Sequence, residues 1–276
     1  WHGLYIFIIN KNIMFSGVLQ KMTSINDNPI RYILEFESNF ILMNQAINKE
    51  IHISKKGYCC LSCSGNIEIF ANGFCKKCFF ESPKSGDWVM RPELSKAHLD
   101  QEDRDLDFEK EMQLQPHILY LSITSGLKVG VTRVKNMQTR WIDQGAVESI
   151  ILLELPNRYL AGLAEVELKE DYSDKTNWRK MLTNEINKVD LINEKKNALD
   201  KLSNDLKKYK SGNDEVYKFN YNVLDYPKSV KSKSLKKANE INGKLVGVKG
   251  QYLIFEDSTV FNVRSNEGYV VEIGLK

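Results

Sequence analysis

The sequence predicts an α+β protein, and three observations lead there. Short runs in which apolar and polar residues alternate with period two lie toward both ends of the chain. Between them, residues 117–183 read in the order strand, strand, helix, strand, helix. Ahead of that block, all five cysteines fall between positions 59 and 78, where they define a module of their own.

In chain order, residue 1 is Trp, so residues 1–13 read as a non-native leader and Met14 as a better start of translation. The apolar run at residues 4–9 is six residues long, against the roughly 20 needed to span a bilayer. It lacks the basic flank and cleavage site of a signal peptide. Residues 14–83 are expected to be β-rich: YILEF, FILM and IHIS are strand candidates, and the cysteines follow at residues 58–83. Residues 84–116 are polar and turn-rich and read as a linker with one short helix.

The best-patterned block is 117–183. HILYLSI and LKVGVT flank the turn Thr124-Ser125-Gly126 and read as a hairpin. MQTRWIDQGA suits a short helix ended by Gly145, and SIILLEL a buried strand stopped by Pro156 and Asn157. YLAGLAEVELKE places Leu160, Leu163, Ala164 and Leu168 on one helical face. Residues 184–240 combine a charged helix, with Leu199, Leu202, Leu206 and Tyr209 on one stripe, and a lysine-rich loop. Residues 241–276 alternate LVGV, YLIFE, VFNVR and YVVEI with turns, which predicts a small antiparallel sheet.

Composition is that of a soluble globular chain, 42% hydrophobic and 27% charged, with no span long enough for a membrane. This reads as cytoplasmic, without a membrane partner. A net charge of +3 is too small to name a partner. Local charge says more: KSVKSKSLKK, residues 228–237, holds five lysines. The ordinary reading is a flexible basic loop, the alternative a phosphate contact through Lys231, Lys233, Lys236 and Lys237.

CLSC and CKKC are two CxxC knuckles separated by eleven residues. Each turn aims two thiolates at one point, and two turns complete a tetrahedron with no open position. The spacing predicts one structural zinc ion held by Cys60, Cys63, Cys75 and Cys78, with Cys59 as the alternative to Cys60. Redox pairs or buried core thiols are the competing readings. Such a closed site stabilises a small domain and performs no Lewis-acid chemistry. His98 and His117 are expected to be structural, since four thiolates already complete the site.

A hairpin about Ser125 puts Tyr120 opposite Gly130 and places Tyr120, Lys128, Gly130 and Thr132 on one face. The glycine is expected to leave room for a ligand beside the phenol, and Lys128 to favour a phenolate. Arg133 and Arg140 follow, and Glu165 lies on the next helix. A phenol as base, a carboxylate holding magnesium or manganese and a guanidinium facing developing charge could together hydrolyse a phosphodiester. The plain alternative is a tyrosine packed in a sheet, surface arginines and a solvated glutamate. Trp141 and Ile142 read as core, Asp143 and Gln144 as caps or contacts.

ILYLSITSGLKVGVTRVKNMQTRW resembles the signature of the GIY-YIG nuclease superfamily, in particular the branch whose second block is of the KIG type. The resemblance implies a three-stranded antiparallel sheet with flanking helices. It implies catalytic roles for Tyr120, Lys128 and Arg140 and a divalent metal on Glu165. The first block reads Ile-Leu-Tyr without the family's glycine, and the interval from Gly130 to Arg140 is longer than usual.

GFCKKCF, RPELSKAH, KVGVTR, RWIDQGA, DKTNW and GVKGQYLIF extend the likeness over nearly everything after Met14. In that order they are similar to an uncharacterised bacterial family of unknown function with a zinc-ribbon head before a GIY-YIG-like core. The expectation is a metal-dependent nuclease acting on DNA or RNA, with Arg133 and the lysine run as further nucleic-acid contacts. A non-cleaving nucleic-acid-binding protein and a protein-interaction module are the alternatives.

Overall fold

The computed structural model describes residues 13–276. The reading of residues 1–13 as a leader falls, apart from Ile13, outside the described residues. No described helix is long and apolar enough to cross a membrane.

Among the described residues the chain forms a mixed α+β fold with two large sheets and two small ones. The larger has seven strands, in the spatial order Ile13–Val18, Tyr269–Leu275, Glu50–Tyr58, Glu240–Lys249, Tyr252–Phe255, Thr259–Asn262 and Lys231–Lys233. Tyr269–Leu275 pairs antiparallel with Ile13–Val18 on one side and Glu50–Tyr58 on the other. The C-terminal strands, expected as a small sheet of their own, thus share one sheet with two of the N-terminal strands, Ile13–Val18 and Glu50–Tyr58, while Thr23–Ile25, Arg31–Glu35 and Phe40–Leu42 form a separate three-stranded sheet. Alternation along Tyr269–Leu275 identifies a strand, but nothing in it names the partner. Pairing the two ends of the chain satisfies backbone groups that a separate small sheet would leave on open edges.

The second sheet holds the central block, in the order Tyr217–Lys218, Glu148–Leu155, His117–Ile123 and Leu127–Arg133. The two-residue strand Tyr217–Lys218 makes it one strand larger than expected. Its two faces enter different cores. Ile118, Tyr120 and Ile151 pack with Trp141 and Ile142 into the core shared with the seven-stranded sheet. Leu119, Leu121, Val129 and Ile150 pack against Ala161, Ala164 and Leu168 of the helix Arg158–Leu168 and Leu191, Ala198 and Leu199 of the helix Leu191–Lys201. Burial on both faces is why these strands read as continuous apolar runs.

Residues 84–116 are not an open linker. They form the short helices Asp87–Met90 and Leu106–Gln113 with three-residue turns between them. The turn Pro92–Leu94 lies so close to the central block that a Cβ at Gly162 would sit 2.2 Å from the Glu93 nitrogen. A buried charge organises much of this segment. Glu109, 1% exposed, accepts the backbone N–H groups of Asp103, Arg104 and Asp105 at 2.7–3.1 Å. A carboxylate saturated by backbone donors orders a loop without any apolar periodicity, so the segment has no pattern to read.

The charged stretch after residue 184 breaks into Leu191–Lys201 and Asn204–Lys207. Asp190 caps the first by accepting from the Ile192 and Asn193 nitrogens. The lysine run is not simply a loop. Lys231–Lys233 is an edge strand, parallel to Thr259–Asn262, and Lys231, Lys233, Lys236 and Lys237 are all exposed.

His117 is buried at the start of its strand, where its Nδ1–H donates to the Gln115 carbonyl at 2.7 Å. Burial first, then Arg158 and Arg133, push its pKa down to about 4, against the hydrogen bond to Gln115. The unfolded chain protonates near 6.5, so it binds more protons than the fold between those values, and stability rises with pH across that window. Replacing His117 with Gln removes this contribution. Chemical denaturation at pH 4.5 and 7 should show a smaller pH dependence in the variant, by about 2 kcal/mol. An unchanged difference would contradict a neutral buried imidazole.

Candidate functional site

In the cysteine module the turn holding Cys60 and Cys63 is followed by a two-stranded hairpin, Ile69–Ala71 against Phe74–Cys75, closed by Gly73 at φ +78°. The helix Lys76–Glu81 follows at once. The Sγ atoms of Cys60, Cys63, Cys75 and Cys78 lie within 4.8 Å of one another. Burial works against ionisation of Cys60, but the backbone N–H groups of Cys63, Cys75 and Ser62 outweigh it and hold the thiol at about 6. The Cys75 nitrogen stands 3.3 Å from the Cys60 sulfur. Burial first, then its neighbouring cysteines, push the Cys78 thiol up to about 12, so the observation that counts is the convergence of four sulfurs positioned to hold a metal ion. Cys59 is not part of the group: its sulfur faces the Ser64 carbonyl at 3.8 Å.

The second group of predicted residues lies at the edge of the central sheet. Tyr120 stands opposite Gly130 and Lys128 opposite Ser122, so alternation turns all four toward one face. The helix Met137–Asp143 crosses that face, bringing Arg140 to the phenol and Trp141 against its ring at 5.6 Å. Glu165 arrives from the helix Arg158–Leu168. Arg140 and Glu165 each act electrostatically on both Tyr120 and Lys128. The structure therefore brings Tyr120, Lys128, Arg140 and Glu165 into one cluster.

Two expectations about this cluster are corrected. The space opposite Gly130 is not left for a ligand: a Cβ there would lie 2.6 Å from the Tyr120 hydroxyl, so the phenol occupies it. Nor does Lys128 bring the phenol toward ionisation. The Lys128 ammonium donates to the Asp174 carbonyl at 3.0 Å, and burial, then Arg140, push its own pKa down to about 8. Tyr120 is fully buried and donates to Gln144 Oε1 at 2.9 Å. Burial raises its pKa, and Arg140 is the cation that opposes the rise.

Glu165 is 9% exposed. Burial raises its pKa, partly countered by Lys169 and Lys128, and its nearest ion-pair partner, Lys169, stays 3.7 Å away. Asp174 approaches the same lysine at 4.0 Å. Arg133 and the lysine run lie apart from this group. Arg133 faces the other side of its strand, 3.0 Å from the Met112 sulfur, and the lysines sit on the edge of the other large sheet.

Sequence reasoning missed Arg158. Its guanidinium donates to the carbonyls of Trp88 and Val89 at 3.1 and 2.8 Å, and it acts on Glu165. Burial pushes its pKa down to about 10. The signal was the i, i+7 spacing from Arg158 to Glu165, which puts both on one side of a helix. Asp143 and Gln144, left open between caps and contacts, are contacts. Asp143 accepts from Lys21 at 2.8 Å, Ser24 at 3.2 Å and Gln251 at 2.8 Å.

Protein purified under reducing conditions should carry about one tightly bound divalent ion per chain. Cys75→Ser should lose it and Cys59→Ser keep it. Elemental analysis that finds no metal in the wild type, or loss from the Cys59 variant, would refute this assignment.

Comparison with curated proteins and with solved structures gave no match. The family described as protein of unknown function (DUF2797) matches residues 48–271, from the strand Glu50–Tyr58 through the cysteine module and the whole cluster into the last strand. The chain belongs to that family.

Proposed function

We propose that this protein is a divalent-metal-dependent nuclease of GIY-YIG type, hydrolysing phosphodiesters in DNA or RNA, with a zinc ion in its four-cysteine site as a structural staple. The observation that carries the reading is the convergence of a phenol, a carboxylate, a lysine and an arginine in one low-exposure cluster, where such groups are seldom placed for stability alone.

Each group has a role. Glu165 offers hard oxygen donors with no cation at hydrogen-bond distance, which suits a magnesium or manganese ion that keeps most of its water. Bound there, the ion would supply charge against the phosphate oxygens. Arg140 meets the phosphate and opposes the burial that holds Tyr120 protonated. Tyr120, seated over Gly130, would take a proton from the attacking water only as the phenolate, after losing the proton it now donates to Gln144 and once water reaches the phenol. Lys128 adds a cation fixed by the Asp174 carbonyl.

A second reading, a non-cleaving nucleic-acid-binding protein, is favoured by one observation: the Tyr120 hydroxyl donates to Gln144 and its pKa is raised, so at rest the phenol is an acid with its proton in place.

Cleavage assays on DNA and RNA with magnesium or manganese separate the two. The wild type should cut, and Glu165→Ala should bind without cutting. Tyr120→Phe should lose at least about a hundredfold in rate with little change in stability. A wild type that binds and never cuts, or a Glu165→Ala variant that cuts normally, would leave the binder as the reading.

The exposed edge lysines support a wider footprint. Alanine at Lys231, Lys233, Lys236 and Lys237 should weaken binding and flatten its dependence on salt, read by titration at several salt concentrations. A slope equal to that of the wild type would exclude them from the interface.

A further inference from the structure

Three phenylalanines gather on the outside of the cysteine module. The ring centroids of Phe70, Phe79 and Phe80 stand 5.2–5.7 Å apart. Phe79 packs inward against the core of Cys60, Phe74 and Cys75. Phe70 and Phe80 are 47% and 57% exposed. The local folding explains the split. Along Ile69–Ala71 alternation buries Ile69 and turns Phe70 out. In Lys76–Glu81, Cys78 joins the thiolate cluster and Phe80 faces solvent.

Both rings are held on elements anchored at the metal site. The strand of Phe70 pairs with the strand that ends in Cys75, and the helix of Phe80 carries Cys78. Through Phe79 the two rings touch the module's small core, but about half of each stays open to water side by side, and that paired exposure points to a ligand. The charge beside them favours an anion. Residues 68–84 hold Lys76, Lys77 and Lys84 against Glu68 and Glu81. Glu81 is drawn toward Lys77 at 3.9 Å, and Lys76, Lys77 and Lys84 are all exposed.

Flat apolar rings bordered by lysines match the two surfaces of an unpaired nucleotide. A base stacks on a ring, and its phosphate meets an ammonium. In a duplex the base faces are already covered by their neighbours. We propose that Phe70 and Phe80 form a stacking platform for the bases of single-stranded nucleic acid, with Lys76, Lys77 and Lys84 contacting its phosphates. The proposal rests on the reading that the protein acts on nucleic acid, but it uses none of the residues of the Tyr120 cluster. Recognition of this kind is tolerant of sequence, because every base offers a π-face.

The test uses the full chain and fluorescence anisotropy with a labelled oligothymidylate of about 20 nucleotides and a duplex of the same length. The wild type should prefer the single strand. Phe70→Ala with Phe80→Ala should lose at least about tenfold of single-strand affinity while keeping its duplex affinity, bound metal and circular dichroism spectrum. Phe70→Tyr with Phe80→Tyr should retain binding, since the rings remain. The proposal is overturned if the alanine pair binds the single strand like the wild type, which would make the patch a protein-docking face. It is equally overturned if the tyrosine pair fails as badly as the alanine pair, or if the wild type has no affinity for single strands. A wild type that binds through these rings and never cleaves would sustain the platform and sink the nuclease reading alone.

Discussion

The junction between the two large sheets depends on one buried carboxylate. Asp143 ends the helix that lies across the Tyr120 face, and its side chain is 3% exposed. A bare charge at that depth would cost several kcal/mol. Here it accepts from Lys21, just before the strand Thr23–Ile25, from Ser24 within that strand, and from Gln251 between two strands of the seven-stranded sheet. Gln251 is itself clamped by the backbone of Met22. One anion thus ties two distant stretches of chain, residues 21–24 and Gln251, to the helix that carries Arg140 and Trp141 and is followed by Gln144. The close approach of Gly250 to the Asp143 carbonyl, where a Cβ would lie at 3.0 Å, makes the same contact from the backbone side. The cluster around Tyr120 therefore owes its geometry to a network that contains none of its members.

Buried polar groups perform a similar task on the other side of the central block. Glu109 gathers three backbone donors and orders the segment before the sheet. That segment presents the Trp88 and Val89 carbonyls to Arg158. Hydrogen bonds to a charged group are stronger than neutral ones and specify direction, so each link fixes the next. Arg158 can then lie beside Glu165 without forming a tight pair that would consume the carboxylate.

These same features divide what the sequence reveals from what it hides. The hairpin about Ser125 is legible because a turn and a period-two pattern lie within a few residues of each other. Its register follows, and with it the facing of Tyr120, Gly130 and Lys128. The paired CxxC turns are legible for the same reason: the geometry that makes the four sulfurs converge is set within each turn. The pairing of the strand Tyr269–Leu275 with strands near the start of the chain is not legible, since alternation gives a strand its two faces and no address. The segment 84–116 is hidden because a buried glutamate and backbone carbonyls order it. The role of Gly130 was misread in detail: a missing side chain signals that something approaches closely, and only the fold says that the visitor is the phenol itself.

The chemistry of the cluster turns on the proton of Tyr120. Burial favours the neutral phenol, and Gln144 accepts its hydrogen, while Arg140 pulls the other way. Lys128 and Glu165, also largely buried, are each pushed toward their neutral forms by burial. Such a site stores unfavourable electrostatics that added charge would relieve. A dication at Glu165 would stabilise its carboxylate and draw the phenol toward ionisation, and a phosphate beside Arg140 and Lys128 would favour the protonated lysine. The two act on Tyr120 in opposite directions, since an anion next to a phenol raises its pKa. Cleavage by this set of residues therefore requires that the metal's charge exceed the phosphate's at the phenol. With phosphate alone, the same residues would bind it without cleaving.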